Sequence, residues 1–321
     1  MNYFVTELNL EGYIPENYTN LRAAETWIKY LDAFHLNLFK VLKEDKQYEG
    51  TCWLIIPKGQ EAVNYLVQNK PDLVVELQKK FSKIYCIQEG ESTFWHKYDV
   101  TTQTWIWLQF QASDKIYTQN SYDLRYLKGL HPDKKFGLIR SVMDDSIINI
   151  NNFKPKTNKA ILTGPFTVEY YGFAQMMVAK HTECEIDIPP MGQSRMPKDS
   201  WEMAENVGVN YLEYMMWKEW MENISQYKYG YFLVPCIGAG TFPLNCAYHG
   251  IPCIGDNRAE TQKLLFPKLS INHLDLEQAV KLTKKLSTDK EFYKEVSTYA
   301  KQVYKKEFSK EKFLEIVQHD Y

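Results

Sequence analysis

Residues 231–262 hold the stretch of this chain whose residue types and spacing point most directly to a chemistry. An apolar run at 231–234 reads as a buried strand, and Gly238-Ala239-Gly240-Thr241 as a tight loop. Residues 242–249 have helical spacing, and Gly250-Ile251-Pro252 stops that helix before a second strand at 253–255. In such a unit the first N–H groups of the helix lack partners and point, with the positive end of its dipole, at whatever lies before them. The loop therefore reads as an anion site, with Thr241 placed to cap the helix and offer a hydroxyl to a phosphate. A tight packing turn uses the same glycines. The loop is not a dinucleotide fingerprint, because the third glycine would fall on Pro243 or Leu244.

Other chemistries find less support. Cysteines at 52, 86, 184, 236, 246 and 253 form no C-x-x-C pair or Cys/His cluster, which excludes a structural zinc motif and suggests reduced thiols in a cytoplasmic protein. No nucleophile–His–Asp arrangement can be read from spacing. A net charge of −2 gives no footprint of general nucleic-acid binding. The first residues lack a basic segment followed by a long apolar one, and no run of about 18 apolar residues occurs, so neither a signal peptide nor a membrane span is expected.

The elements that must position the loop follow from alternating apolar runs and amphipathic stretches, the pattern of a parallel α/β sheet. Strands are expected at 3–8, 52–56, 84–87, 115–118 and 138–139, with an aromatic-rich helix over 24–42. A polar segment at 147–159, broken by Pro155, reads as an inter-domain linker. Beyond it come a strand from Ala160, a helix through Lys180, a strand at 184–188, a strand edge at 212–215, a helix at 217–226 and helices from Leu274. A chain of 321 residues fits two domains of about 150 residues each. The expected division is 1–150 and 151–300, with a helix at 301–321 packing back toward the first domain.

The second half resembles the donor-binding domain of GT-B glycosyltransferases, in which a strand, a glycine loop, a short helix and G-x-P occur at this spacing. It is most similar to glycosyltransferases encoded by tailed bacteriophages, through Ala239-Gly240-Thr241-Phe242, Leu244-Asn245-Cys246-Ala247-Tyr248, Gly250-Ile251-Pro252-Cys253-Ile254-Gly255 and Thr261-Gln262. Gln88-Glu89-Gly90 and Asn120-Ser121-Tyr122-Asp123 extend the likeness into the first half. The resemblance implies two Rossmann-like domains with parallel sheets facing across a cleft, and an enzyme that moves a hexose or pentose from a nucleotide diphosphate sugar, a UDP-sugar. It implies a modified pyrimidine of double-stranded DNA as acceptor. A surface glycan or lipid carrier is the alternative acceptor, and a catalytically inactive binding module the alternative of another class. Many retaining members carry two glutamates eight positions apart around the loop; here those positions are Ile237 and Asn245.

Glycosyl transfer needs a stabilised diphosphate, a held nucleoside and a group that takes or orients the acceptor proton. The resemblance assigns the donor to Gly164, Gly238, Gly240 and Thr241, to the cations Arg195 and Lys198, to Tyr214 and Met215 beside the base, and to Asn245. Asp256 and Glu260 are further candidates for sugar or ribose hydroxyls. Glu89, directly after a strand, is the first choice of base, with His96 and Asp99 behind it. Aromatic residues at 94–98 and 104–107 are candidates to stack on an extruded base. No tightly bound cofactor or metal is expected, with Mg²⁺ admissible but not required.

Overall fold

The computed structural model describes residues 1–21, 23–167, 170–189, 199–235 and 240–320, side chains at 93, 199–201 and 203 excepted. They form two units: Met1–Tyr18, Ala23–Ser141 and Lys310–Tyr321 in the first, Thr19–Arg22 and Val142–Ser309 in the second.

The first unit runs β1 (Asn2–Thr6), α1 (Ala23–Tyr30), β2 (Phe34–Asn37), α2 (Leu38–Lys43), β3 (Tyr48–Ile55), α3 (Gln60–Asn69), α4 (Leu73–Gln78), β4 (Phe81–Gln88), α5 (Val100–Ala112), β5 (Lys115–Thr118), α6 (Ser121–Leu130) and β6 (Lys135–Leu138). Every strand pair is parallel, in the order β2-β1-β3-β4-β5-β6. One face carries Leu54, Ile84, Cys86, Ile116 and Phe136 against Leu66, Leu77, Trp105 and Phe110 of the helices. The single helix expected over 24–42 is corrected to helix, strand, helix. Asp32 takes a left-handed φ of 48° and ends α1, and Asn37 caps α2 by accepting from the amides of Phe39 and Lys40. The intervening strand buries His35 and Asn37, and their bonds to the loop after β1 outweigh the helical spacing of the aromatics.

The second unit runs β7 (Lys159–Leu162), α7 (Gly172–Ala179), β8 (Glu185–Ile188), α8 (Asp199–Asn206), β9 (Asn210–Tyr211), α9 (Trp217–Ile224), β10 (Tyr229–Phe232), α10 (Thr241–His249), β11 (Cys253–Asp256), α11 (Glu260–Leu265), β12 (Ser270–Ile271), α12 (Leu276–Thr288) and α13 (Lys290–Glu307). Its sheet is also parallel, ordered β12-β11-β10-β7-β8-β9. The strand edge expected at 212–215 is shorter and earlier, β9 alone, and 212–216 is irregular. The last helix, α14 (Lys310–Gln318), belongs to the first unit. The units therefore divide at 141/142 and 309/310, against the expected 150/151 and 300/301. The polar segment read as a linker is held along the second unit. There the Lys154 amide donates to Ser225 Oγ (2.9 Å) and Lys156 Nζ to the Tyr227 carbonyl (2.7 Å). Among the described residues no helix is long and apolar enough to cross a membrane.

Three buried histidines make this fold sensitive to acid. Burial, reinforced by Lys156, pushes His249 down to about 3, and burial, reinforced by Lys134, takes His131 to about 4. His35 is lowered chiefly by burial as well. An unfolded histidine titrates near pH 6.5. Below that pH the unfolded chain takes up protons that the folded chain refuses, so the stability is complete above about pH 6.5 and is lost on acidification. Each pKa unit is worth about 1.4 kcal/mol, so His249 alone accounts for a few kcal/mol between pH 7 and 4. Urea denaturation should show a falling midpoint from pH 7 to 5; a flat profile would contradict these buried neutral rings.

Candidate active site

In an open parallel sheet, ligands bind past the carboxyl ends of the strands, where the strand order reverses and neighbouring loops part. The reversal falls between β1 and β3 in the first sheet and between β7 and β10 in the second.

At the first reversal stand Glu7 after β1, Lys58 after β3 and, one strand further, Glu89 after β4. Lys58 Nζ donates to Glu89 Oε2 at 3.0 Å. Burial, then the charge of Glu89, raise the Glu7 carboxyl, with Lys58 opposing. Lys58 is thus paired with Glu89 and reaches Glu7 only through its charge. The turn carrying Glu89 is fixed by the two motifs noted in the first half of the sequence. Asn120 caps α6, and Asp123 accepts from the Ser92 amide (2.9 Å), Ser92 Oγ (2.5 Å) and Asn120 Nδ2 (2.6 Å). Burial pushes Asp123 up against these bonds.

The other expected bases are placed differently. Asp99 is the N-cap of α5, accepting from the Thr102 amide at 2.8 Å, a bond that leads the lowering of its pKa. His96 lies exposed in a 3-10 turn, Ser92–Lys97. Of the candidate stacking rings, Trp95 is buried and donates to Gln88 Oε1 at 3.0 Å, and Trp105 is buried and donates to the Lys70 carbonyl at 2.9 Å. Both are core. Trp107 is partly exposed and stacked on His131.

At the second reversal, Gly240 stands with φ 63° as the residue before α10. A Cβ there would lie 1.7 Å from Thr261 Oγ1, a buried hydroxyl with no partner among the described residues. Glycine is therefore required both by the left-handed backbone and by the approach of α11. The expected capping role of Thr241 is corrected: it is the first helical residue, and α10 has no side-chain cap bond. Its amide and that of Phe242 begin the helix and have no earlier carbonyl within it to meet, while Pro243 has no N–H to offer. Gly164 lies in the turn after β7, where a Cβ would lie 2.5 Å from the Tyr170 ring. Asn245 is buried. With its amide oriented to suit its neighbours, Oδ1 accepts from Trp220 Nε1 (2.9 Å) and Nδ2 donates to the Thr241 carbonyl (3.3 Å), so it braces α10. Tyr214 is partly exposed and Met215 Sδ accepts from Asn223 Nδ2 at 3.3 Å, both past the outermost strand, β9. Arg195, Lys198 and Gly238 lie outside the described residues.

Sequence reasoning passed over Arg258. Its Nε donates to Asp256 Oδ1 (2.9 Å), and its Nη2 donates to the Pro235 carbonyl (2.7 Å) and lies 2.9 Å from His273 Nδ1. Asp256, expected to meet sugar hydroxyls, is buried and also accepts from the amides of Arg258 (2.7 Å) and His273 (3.0 Å). Burial drives its pKa up, but the bonds from Arg258 and His273 together outweigh burial and hold it low. Glu7 and Arg258 were illegible for one reason: the strand order that brings each to a reversal is not written in local spacing. Among the described residues, no three His, Cys, Asp or Glu groups are placed to hold a metal.

No family model matches the chain, and no curated protein matches it. Solved structures do. An S. aureus TarM variant, solved with fondaparinux, α-GlcNAc-glycerol and UDP, matches at TM-score 0.60 and 11% identity over 87% of this chain and 56% of that one. An α-glucosyltransferase solved with UDP and a 13-mer DNA with a central A:G mismatch matches at TM-score 0.60 and 12% identity over 98% and 96%. The E. coli trehalose-6-phosphate protein bound with UDP-2-fluoro glucose matches at 0.62 and 11% over 91% and 77%. The chain has the GT-B fold. It spans little more than half the length of TarM, 56%.

Two substitutions test the donor-side geometry. Gly240→Ala should cost about 1–3 kcal/mol in denaturant unfolding, from the left-handed backbone and the clash with Thr261. Adding Thr261→Ala should recover part of that loss. Arg258→Met should cost about 2–4 kcal/mol by leaving the buried Asp256 carboxylate without its guanidinium, and Arg258→Met with Asp256→Leu less than Arg258→Met alone. Wild-type midpoints for either single variant would contradict these contacts.

Proposed function

We propose that the protein is a nucleotide-sugar-dependent glycosyltransferase, with a UDP-sugar as donor and a modified pyrimidine of double-stranded DNA as acceptor. The observation that carries the reading is the open first turn of α10 at the reversal of the second sheet, with Gly240 before it and Arg258 fastened beneath the end of β10. A diphosphate is the ligand for which unpaired amides, a positive helix end and a guanidinium are suited. Structures of the same fold solved with UDP or UDP-2-fluoro glucose support this choice of donor. The α-glucosyltransferase solved with DNA, matched over nearly the whole of both chains, supports DNA as acceptor.

In the proposed reaction the acceptor oxygen attacks the anomeric carbon while the bond from that carbon to the diphosphate breaks. The diphosphate leaves with the electron pair, and the acceptor proton passes to a carboxylate. Glu89 is proposed for that role, with Glu7 beside the same ammonium as its alternate. Arg195, Lys198, Gly238, Tyr214, Met215 and Gly164 are retained as proposed donor contacts. Ile237 and Asn245 supply no carboxylate pair, so the stereochemical course does not follow from that pattern.

The test is nucleotide release from UDP-sugars, alone and with oligonucleotides carrying 5-hydroxymethyl pyrimidines, unmodified oligonucleotides, or sugar acceptors. Turnover stimulated by the modified duplex is expected. Turnover with sugar acceptors alone would move the acceptor assignment, and no turnover of any donor would favour the inactive binding module. Glu89→Gln should lower kcat about a hundredfold with donor affinity nearly kept. If Glu7→Gln alone has that effect, the base is Glu7. Activity should persist in chelator; loss restored by Mg²⁺ or Mn²⁺ would overturn the metal-free reading.

A further inference from the structure

The first sheet has a second face. By strand alternation Trp53, Tyr85 and Tyr117 lie opposite the apolar face built on Leu54, Ile84, Cys86 and Ile116. There they line a cavity of about 590 Å³ together with Lys83, Lys115, Lys135 and residues of α14. Trp53 packs against Tyr85 (5.1 Å between centroids) and Tyr117 (4.8 Å), with Trp53 and Tyr117 buried and Tyr85 partly open. Gly137 makes room for this floor, because a Cβ there would lie 2.3 Å from the Tyr117 ring. The Tyr117 hydroxyl donates to the Val317 carbonyl at 3.0 Å, fixing α14 as a wall.

The charges are unbalanced. Lys115 and Lys135 are direct ladder partners on β5 and β6, a like-charge pair whose counter-ion within the chain is Asp320, its carboxyl held low chiefly by Lys115 with Lys135 adding to it. Of the two carboxylates lining the cavity, Asp114 accepts from the Ile84 amide at 2.7 Å. Asp320 pairs with the buried Lys115 at 2.6 Å while itself remaining 68% exposed. Lys83 and Lys135 are exposed and have no ion pair among the described residues. An open ring over an aromatic floor, with ammonium groups at the rim, matches one ligand chemistry: a flat base joined to a phosphate. The volume is in the range of small-molecule sites.

We propose that this cavity is a nucleotide-binding site, taking a base against Tyr85 and a phosphate at Lys83 and Lys135, separate from the donor site of the second unit. It does not rest on the glycosyltransferase reading. The nucleotide is either free or part of a polynucleotide strand.

The test is calorimetric titration of the full chain with AMP and, separately, with a single-stranded hexanucleotide, each without UDP, the site being located by its dependence on Tyr85 and Lys135. One AMP per chain is expected, with Kd below about 1 mM. Tyr85→Ala and Lys135→Glu should each weaken it at least tenfold. Lys135 is exposed, so its variant tests the site even if Tyr85→Ala fails to fold. Tighter binding of the hexanucleotide, equally sensitive to Lys135→Glu, identifies a strand as the source and supports the proposal. Absence of binding by both probes, or indifference to Lys135→Glu, would overturn it.

Discussion

The strand order of the two parallel sheets is the constraint on which the rest of this molecule depends. Where the order reverses, consecutive crossovers leave in opposite directions and the loops above the two strands part, so helix ends and loop side chains face open space. Here the reversals set β1 beside β3 and β7 beside β10. Glu7, Lys58, Gly164 and Gly240 stand at the two reversals only because of that placement. Glu7 and Lys58 are far apart in sequence, yet they follow adjacent strands, and Gly164 and Gly240 follow another adjacent pair.

The two reversals are chemically unlike. The first gathers two carboxylates around one lysine, a balance that leaves an acidic group able to take a proton. The second offers backbone amides and a fixed guanidinium, and its nearest carboxylate, Asp256, is consumed by Arg258 and His273. Under the proposed function, the first would serve the acceptor proton and the second the diphosphate. Arg258 also ties the segment just after β10, at Pro235, to the turn after β11.

Much of the fold was legible because strand and helix periods are local. The apolar run at 115–118 is β5 to the residue, and the helix read at 242–249 is α10 less its first residue. The failures share a cause. At 24–42 the aromatic spacing is helical, but a left-handed Asp32 and the inward bonds of His35 and Asn37 make a strand, and neither is visible without the loop they hold. Asn245 looked like a ligand through the resemblance to enzymes with a glutamate at that spacing, whereas here its amide bonds to Trp220 and the Thr241 carbonyl. Asp99 looked like a base because it is a carboxylate in the segment expected on the cleft side of the first domain, and it is a helix cap. Polar side chains are the hardest to read because their partners come from distant elements.

The account stands most directly on where a nucleotide diphosphate sits, and a crystal structure with UDP bound measures that. The account predicts both phosphates at the start of α10, within hydrogen-bonding distance of the Thr241 amide and on the side of Arg258. Phosphates bound instead beside Lys58, at the carboxyl end of the first sheet, would contradict it.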